Sequence, residues 1–249
     1  MDIKLDYYPT ARAASLHIGD HPGLKYLKKT ASRSDKVLDV GCGEGSRLAH
    51  ILSFGRTGWG IDLNPKAVKQ AKKQYPRLHF RIADAASLPF PNAAFDLVYS
   101  AFAIEHSREP QKFILEMIRV CRRHGCVIIL CPNYGAPNRR SPVSTAFPVL
   151  KLFRGLIRDF FPTHNLNWQM VTPRHVYDRI DADTTCEPYL GSLVRFVQNQ
   201  PLTLDQASSL WGLEVKTNNP RKILFKSLGQ LGIYPFKFWG PQIFLSVLK

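Results

Sequence analysis

Residues 37–47 read VLDVGCGEGSR, an apolar run that leads into a turn with three glycines. The apolar run predicts a buried strand, and the residues after the turn predict a helix. A glycine-rich turn between a strand and a helix presents backbone N–H groups to a ligand at the amino end of that helix. Gly41, Gly43 and Gly45 are therefore candidate binding residues.

The spacing of the three glycines argues against a dinucleotide site. The dinucleotide pattern G-x-G-x-x-G needs a glycine at position 46, where this chain has Ser46. Glu44 also places a negative charge inside the turn, where it would repel a pyrophosphate. A ligand without phosphate groups fits this turn better.

Short apolar runs alternate with helical patterns between residues 36 and 132. This alternation is typical of strand–helix–strand units in a parallel sheet, so we expect a doubly wound α/β fold. Asn64 followed by Pro65 is typical of the start of a helix. The third connection, AASLPFPNAA, is too short and proline-rich for a long helix. The predicted strands are KVLDV, GWGID, HFRIAD, FDLVYS and CVIILC.

Two acidic residues stand at the ends of predicted strands. Asp62 ends the second strand, 21 residues after Gly41, where a carboxylate accepts hydrogen bonds from ribose hydroxyls. Asp84 ends the third strand, near where an adenine ring would lie. Either residue alone is equally well explained as a solvated strand end. Together with the glycine turn they fall at successive carboxyl edges of one sheet, and this favours a nucleoside site.

Five segments between residues 36 and 133 follow one another in a recognisable order: VLDVGCGEG, GIDLNPKAV, ADAASLPFPNAAFDLVYS, IEHSREPQKFILEMIRVCRRHG and CVIILCPN. In this order and spacing the chain resembles class I S-adenosylmethionine-dependent methyltransferases, particularly those related to the ubiquinone and menaquinone biosynthesis methyltransferases. The resemblance implies a seven-stranded, mostly parallel, Rossmann-like sheet, S-adenosyl-L-methionine as cofactor, and methyl transfer. The chain departs from the family at CRRHGC, where a Pro-Gly-Gly turn is usual.

The resemblance also implies which residues hold the cofactor. Asp39 and the glycine turn would lie around the methionine portion, Asp62 would hold the ribose, and Asp84 with Ala85 would contact adenine. The full set of cofactor-binding candidates is Asp39, Gly41, Cys42, Gly43, Gly45, Asp62, Leu63, Asp84, Ala85 and Ser100.

Glu105 and His106 follow the FDLVYS strand, where the family lines the methyl-acceptor side of the pocket. His106 is a candidate general base for a hydroxyl acceptor. The alternative is a histidine that caps a helix or packs in the core. We expect no metal site, because Phe102 stands where a further carboxylate ligand would be needed and the cysteines have no ligand spacing.

We expect residues 1–249 to form a single methyltransferase domain. Its cofactor-binding core spans about residues 30–133, an inserted cap follows the fifth strand at about 134–200, and a helix and strand pair occupy about 201–249. Thr203 and Gln206 fit a capping box, and Gly212 is placed to stop the predicted helix. The two last predicted strands are GLEVKT and QIFLSVL.

Two stretches of the cap bear on the acceptor. Residues 147–161, FPVLKLFRGLIRDFF, place basic and apolar side chains on neighbouring stripes of a helix. Such a helix lies on an anionic membrane, or it packs its apolar side on the sheet as a lid, the commoner use of such insertions and the one we favour.

The second stretch holds four acids close to Trp168, Tyr177 and Tyr189, which is typical of sites for sugar hydroxyls or an amine. The alternative is a loop held by arginines. This stretch resembles, less closely, methyltransferases associated with bacterial cell-surface polysaccharide or glycolipid assembly. The four acids are Asp178, Asp181, Asp183 and Glu187.

The chain has 34 Lys and Arg against 19 Asp and Glu, a net charge of +15, which indicates an anionic partner surface. The charged amino terminus and the lack of a long apolar run lead us to expect a cytoplasmic protein. Peripheral contact with a membrane, through residues 147–161, stays open as an alternative. The expected function is methyl transfer to a small or lipid-linked acceptor, most simply a hydroxyl of a sugar, glycolipid or quinone-like molecule. An RNA methyltransferase (tRNA or rRNA) and a non-catalytic cofactor-binding protein stay open as alternatives.

Overall fold

The computed structural model describes residues 20–52, 55–161, 163–174 and 182–249. Its helices are α1 (Pro22–Ala31), α2 (Ser46–Ile51), α3 (Pro65–Gln74), α4 (Pro110–Val120), α5 (Pro148–Phe160), α6 (Leu190–Gln198) and α7 (Pro220–Gln230). Its strands are β1 (Lys36–Val40), β2 (Thr57–Asp62), β3 (His79–Ile82), β4 (Phe95–Ala101), β5 (Cys121–Pro132), β6 (Gln169–Met170), β7 (Cys186–Glu187), β8 (Thr203–Ser208) and β9 (Gln242–Leu248).

Seven strands form one sheet in the order β3-β2-β1-β4-β5-β9-β8, and β6 pairs with β7 separately. Strand β1 lies parallel to both β2 and β4, and β2 lies parallel to β3. In this register Val40 is opposite Ile61, so β1 and β2 end side by side. The predicted seven-stranded, mostly parallel sheet with flanking helices is confirmed.

The described residues fall into two compact units. The first comprises residues up to 104, 109–128 and 248–249; the second comprises 105–108 and 129–247. In the first unit Leu38, Leu97 and Met117 are fully buried core residues. In the second unit Tyr189 and Trp239 are the largest fully buried side chains. Among the described helices, none is both long and apolar enough to cross a membrane.

The local signals in the first unit predicted its elements well. The Asn64 side chain accepts hydrogen bonds from the backbone of Lys66 and Ala67, and Pro65 is the first residue of α3, as expected for this cap. Residues 83–94 form turns without a helix. Strand β5 begins at Cys121, earlier than the predicted CVIILC strand. The CRRHGC segment, where the chain departs from the family pattern, lies in the first half of this strand. Within it His124 has a φ of +61°.

The predicted helix from Leu202 to Gly212 is wrong. Residues Thr203–Ser208 form strand β8, and the Ser246 hydroxyl of β9 donates a 2.8 Å hydrogen bond to Asp205. The capping-box pattern is a local signal, and pairing with β9 overrides it. The predicted GLEVKT strand is also wrong, since Trp211–Leu213 is a short 3-10 helix and no strand follows it before α7.

Helix α5 forms within the predicted residues 147–161, but it faces the opposite way from a lid. Its buried residues are Lys151, Gly155 and Asp159. Most of the apolar side chains face solvent, and Phe153 is 63% exposed and Phe160 61% exposed, while Leu152 and Leu156 are half-buried. The expectation that the apolar side of this helix packs inward is therefore wrong.

Candidate active site

The glycine turn after β1 adopts a backbone that favours glycine. Gly41, Gly43 and Gly45 have φ values of +83°, +53° and +78°. A Cβ atom on Gly41 would lie 2.3 Å from the Cβ of Ala103. The backbone N–H groups of Gly41 and Cys42 both donate 2.9 Å hydrogen bonds to the Ile61 carbonyl, which ties the turn to β2.

Asp62 connects the glycine turn to the start of α3. Its Oδ2 accepts a 2.8 Å hydrogen bond from the Gly43 N–H, and its Oδ1 accepts a 2.8 Å hydrogen bond from the Asn64 N–H. Strand β2 ends at Asp62, so the carboxylate lies at the carboxyl edge of the sheet. The two backbone donors orient this carboxylate beside the turn.

Asp39 lies fully buried in β1. Its Oδ2 accepts a 2.7 Å hydrogen bond from the Tyr99 hydroxyl, whereas its Oδ1 has no hydrogen-bond partner among the described residues. Burial raises the pKa of Asp39 to about 6, although Arg47 and the Tyr99 hydrogen bond oppose this rise. The nearby charge of Asp62 raises the same pKa further.

Other predicted residues of this turn and of β4 are buried. Burial raises the pKa of the Cys42 thiol well above its ordinary value, so the thiol stays protonated. Ser100 is fully buried, and within the described part of the chain its hydroxyl has no hydrogen-bond partner. Arg47 donates a 2.8 Å hydrogen bond to the Ala101 carbonyl and lies over the Phe102 ring.

The ends of β2 and β3 carry exposed apolar side chains. Leu63 is 65% exposed and Ile82 is 58% exposed, and Ile82 pairs with Asp62 in the register of β2 and β3. Strand β3 ends at Ile82, so the prediction that Asp84 ends this strand is wrong by two residues. The exposed Asp84 accepts a 2.9 Å hydrogen bond from the Ala86 N–H in a turn that includes the half-buried Ala85.

Sequence reasoning missed Tyr99, Arg47 and Ile82. Tyr99 faces Asp39 because the two residues are register partners in β1 and β4, a long-range pairing that local spacing does not report. Ile82 had a local signal, since it is an apolar residue two positions before Asp84, close to the predicted strand end.

Glu105 and His106 belong to the second unit. Glu105 is buried, and its carbonyl accepts a 2.9 Å hydrogen bond from the Thr185 N–H. Nδ1 of His106 lies 3.3 Å from Oδ1 of Asp183. Burial raises the pKa of the Cys186 thiol, and the nearby Glu105 adds to this rise. The two predicted acceptor-side residues therefore lie close to the segment that precedes β7 and to its first residue.

The four acids and the aromatic residues predicted to bind the acceptor do not form one cluster among the described residues. Glu187 is buried and paired with Lys151, and the Trp168 indole donates to the Tyr189 carbonyl, so these residues serve internal contacts. Asp178, Asp181, Tyr177 and Arg179 lie outside the described residues. Across 20–52, 55–161, 163–174 and 182–249, no group of three His, Cys, Asp or Glu side chains is placed to hold a metal ion.

Comparison with known proteins connects this geometry to a family. A family model described as a methyltransferase domain matches residues 38–129. The chain is 38% identical over 101 residues to ajmaline N-methyltransferase of Rauvolfia serpentina, covering 38% of this chain and 35% of that protein. It is 30% identical over 119 residues to a phosphatidylethanolamine N-methyltransferase of Cereibacter sphaeroides, covering 45% and 58%. The chain thus spans only a part of these relatives.

A longer match is to an uncharacterized methyltransferase of Synechocystis, 30% identical over 172 residues, covering 66% of this chain and 75% of that protein. The fold is also that of an S-adenosylmethionine-dependent methyltransferase from Mesorhizobium loti, with a TM-score of 0.54 and 12% identity over 92% of this chain and 99% of that chain. The family matches and the sheet order confirm the broader resemblance, to class I S-adenosylmethionine-dependent methyltransferases, and not the narrower one to the ubiquinone and menaquinone group. The chain belongs to the class I S-adenosylmethionine-dependent methyltransferases.

Proposed function

We propose that this protein transfers a methyl group from S-adenosyl-L-methionine to a small or lipid-linked acceptor, with a hydroxyl as the acceptor group. The observation that carries the cofactor half of the proposal is the group formed by Asp39, the glycine turn and Asp62 at the carboxyl ends of β1 and β2. All three belong to the first unit.

The residues of this group fit the cofactor chemically. A buried carboxylate whose Oδ1 has no partner in the described residues favours a cation, and the cofactor carries a sulfonium and an ammonium group. Asp62 is oriented at the position where a carboxylate holds ribose hydroxyls. Leu63 and Ile82 offer apolar surface to the adenine ring, while Asp84 and Ala85 offer polar backbone and carboxylate groups to its edge.

The cofactor supplies an activated methyl group, so the protein is left with alignment, charge balance and exclusion of water. Asp39 is ionised at neutral pH, because its pKa of about 6 lies below that pH, and it balances the positive charge. His106 serves as the general base that removes the proton of an acceptor hydroxyl. Asp183, whose Oδ1 lies 3.3 Å from Nδ1, positions the imidazole, and we assign the adjacent buried Glu105 to the same acceptor side of the site.

We base the proposed acceptor class, a small or lipid-linked molecule, on the names of the relatives and on the cap that we assign to about residues 134–200. Relatives named for phosphatidylethanolamine and for ajmaline support a small or lipid-linked acceptor over a macromolecule. Net charge of +15 favours RNA as the second candidate acceptor.

Calorimetric titration with S-adenosylhomocysteine tests the cofactor half of the proposal. We expect binding by the wild type and at least tenfold weaker binding by Asp62→Ala. The matched control is Asp35→Ala, which removes an exposed carboxylate paired with Arg56 at the amino end of β1. If the wild type does not bind, or if both variants bind like the wild type, the assignment is wrong.

A mass-shift screen with labelled cofactor tests the acceptor half. Sugars, quinones, lipid extracts and bulk tRNA are offered separately, and methyl incorporation is measured in each. Incorporation into a hydroxyl of a small or lipid-linked molecule supports the proposal. Incorporation into tRNA alone, with steep salt dependence of tRNA binding, overturns it in favour of the RNA alternative.

A further inference from the structure

Helix α5 buries two charged residues, Lys151 and Asp159, and exposes most of its apolar residues. The inward residues Lys151, Gly155 and Asp159 are spaced at i, i+4 and i+8, which places them on one side of the helix. At 3.6 residues per turn, the apolar stripe lies on the opposite side. This outer stripe consists of Val149, Leu150, Phe153, Ile157, Phe160 and the following Phe161, all exposed.

Specific buried contacts hold the helix in this orientation. The Lys151 ammonium donates to the Glu187 carboxylate at 2.5 Å and to the Tyr134 carbonyl at 2.7 Å. Ser141 donates two further 2.9 Å hydrogen bonds to Glu187. Because a buried cation and carboxylate are costly to separate, rotation of the apolar stripe inward is strongly opposed.

A second anchor lies two turns further along α5. The Asp159 carboxylate accepts hydrogen bonds from the Tyr189 hydroxyl at 2.7 and 2.8 Å and from the Trp239 indole at 3.0 Å. Between the two anchors, a Cβ atom on Gly155 would lie 2.4 Å from Pro137, so the helix backbone packs closely there. These two buried anchors therefore hold the outer stripe towards solvent.

The outer stripe continues onto a neighbouring exposed segment. The ring of Phe160 lies 5.9 Å from that of Tyr234, edge to face, and the Tyr234 hydroxyl donates to the Asp159 carbonyl. Leu231 and Ile233, which precede Tyr234, are also exposed. Contiguous exposed apolar surface of this kind marks an interaction site.

The exposed charged side chains on α5 and in the segments on either side of it are positive. Between residues 133 and 174 the only acidic residue is Asp159, which is buried. Arg154 is exposed beside the outer stripe, and the exposed Arg140 donates a 3.0 Å hydrogen bond to the Ala146 carbonyl just before α5. An apolar face with arginines beside it is complementary to a bilayer surface that carries anionic headgroups.

We propose that the outer stripe of α5 inserts into the interface of an anionic lipid bilayer, with the surrounding cations on its headgroups. At 13 residues α5 is too short to span a bilayer and lies in the plane of the interface. The stripe combines three phenylalanines with the aliphatic Val149, Leu150 and Ile157. Acyl chains accommodate both kinds of side chain, whereas base stacking would use only the aromatic half, so the stripe suits acyl chains better than RNA. The inference goes beyond methyl transfer and stands independently of it.

Co-sedimentation of the full chain with vesicles tests this inference. The probes are vesicles of phosphatidylcholine alone and vesicles in which phosphatidylglycerol replaces part of it. We expect stronger binding to the anionic vesicles, weakened by salt, and at least tenfold weaker binding by the double variant Phe153→Ser, Phe160→Ser. The matched control is Val215→Ser, which removes an 81% exposed apolar side chain outside α5 and is expected to bind like the wild type.

A charge variant and two further measurements complete the test. Arg154→Glu combined with Arg140→Glu is expected to lower binding to anionic vesicles at least tenfold and to change binding to phosphatidylcholine little. Unaltered binding of S-adenosylhomocysteine by each variant shows that the fold is retained and separates this inference from the proposed function. The inference is overturned if the wild type does not sediment with anionic vesicles or if the double variant sediments equally. It is also overturned if gel filtration shows a dimer that the double variant dissociates without a change in vesicle binding.

Discussion

The hydroxyl of Tyr99 donates a 2.7 Å hydrogen bond to Oδ2 of Asp39, and both side chains are fully buried in adjacent parallel strands. Burial raises the pKa of Asp39 to about 6, while the Tyr99 donor and Arg47 favour the ionised form. Near neutral pH the first unit thus contains a buried ionised carboxylate, which lowers the free energy of unfolding. A charge kept at such a cost is expected to serve ligand binding.

The variant Asp39→Asn tests this cost. Because folding raises the pKa of Asp39 from 3.8 to about 6, the folded chain binds more protons than the unfolded chain between those pH values. The contribution of Asp39 to the free energy of unfolding therefore falls as the pH rises through that window, by up to about 3 kcal/mol. We expect the variant to be more stable than the wild type at pH 7 by up to that amount. The measurement is urea unfolding of both proteins at several pH values.

The comparison of the two proteins isolates Asp39 from the other titrating groups. The stability difference should vanish below about pH 4, where Asp39 is protonated in both states of the wild type. The same variant should bind S-adenosylhomocysteine at least tenfold more weakly. A difference that is constant with pH, or of opposite sign at neutral pH, would contradict the raised pKa.

The variant Gly41→Ala tests the glycine turn. Its φ of +83° imposes about 1–2 kcal/mol of strain on alanine, and the added methyl group would lie 2.3 Å from Ala103. We expect a larger loss of stability than this strain and at least tenfold weaker binding of S-adenosylhomocysteine. Calorimetry and urea unfolding provide both readouts.

Gly55 is a matched control for Gly41. Its φ is +82°, and among the described residues, its chain neighbours aside, no atom lies within 4 Å of an added Cβ. Gly55→Ala should therefore show the strain alone and leave cofactor binding unchanged. Equal losses of binding in the two variants would show that the close approach to Ala103 is unimportant.

The variant Glu187→Gln tests the first anchor of α5. It leaves the buried Lys151 ammonium without its counter-charge, so we expect a loss of about 3–5 kcal/mol in the free energy of unfolding. The double variant Glu187→Gln, Lys151→Met removes both charges and should recover most of that loss. If the single and double variants are equally stable by urea unfolding, the ion pair does not anchor the helix.

The variant His106→Ala tests the general base. Removal of a positioned base from a hydroxyl acceptor should lower the methylation rate by about 10²–10⁴-fold, with binding of S-adenosylhomocysteine unchanged. Asp183→Asn should lower the rate less, because Asp183 lies 3.3 Å from Nδ1 and acts only through the imidazole. An unaltered rate in His106→Ala would rule out this role.

The segment around Thr203 folds differently from what its local sequence pattern predicts. Thr203 and Gln206 match a helix cap, yet their segment is strand β8 of the sheet. In this segment the hydrogen bonds come from β9, some 40 residues away in sequence. A pattern read over four residues carries no information about a partner at that distance.

The strands of the first unit, the cap of α3, the glycine turn and the position of Asp62 all followed from sequence. Each is encoded by neighbouring residues, through apolar runs, the φ preference of glycine and the spacing from turn to strand end. The pairing of Tyr99 with Asp39 and the outward face of α5 were decided by the tertiary structure alone. Both depend on which buried polar groups meet across distant segments, because an unpaired buried charge costs more than an exposed apolar side chain.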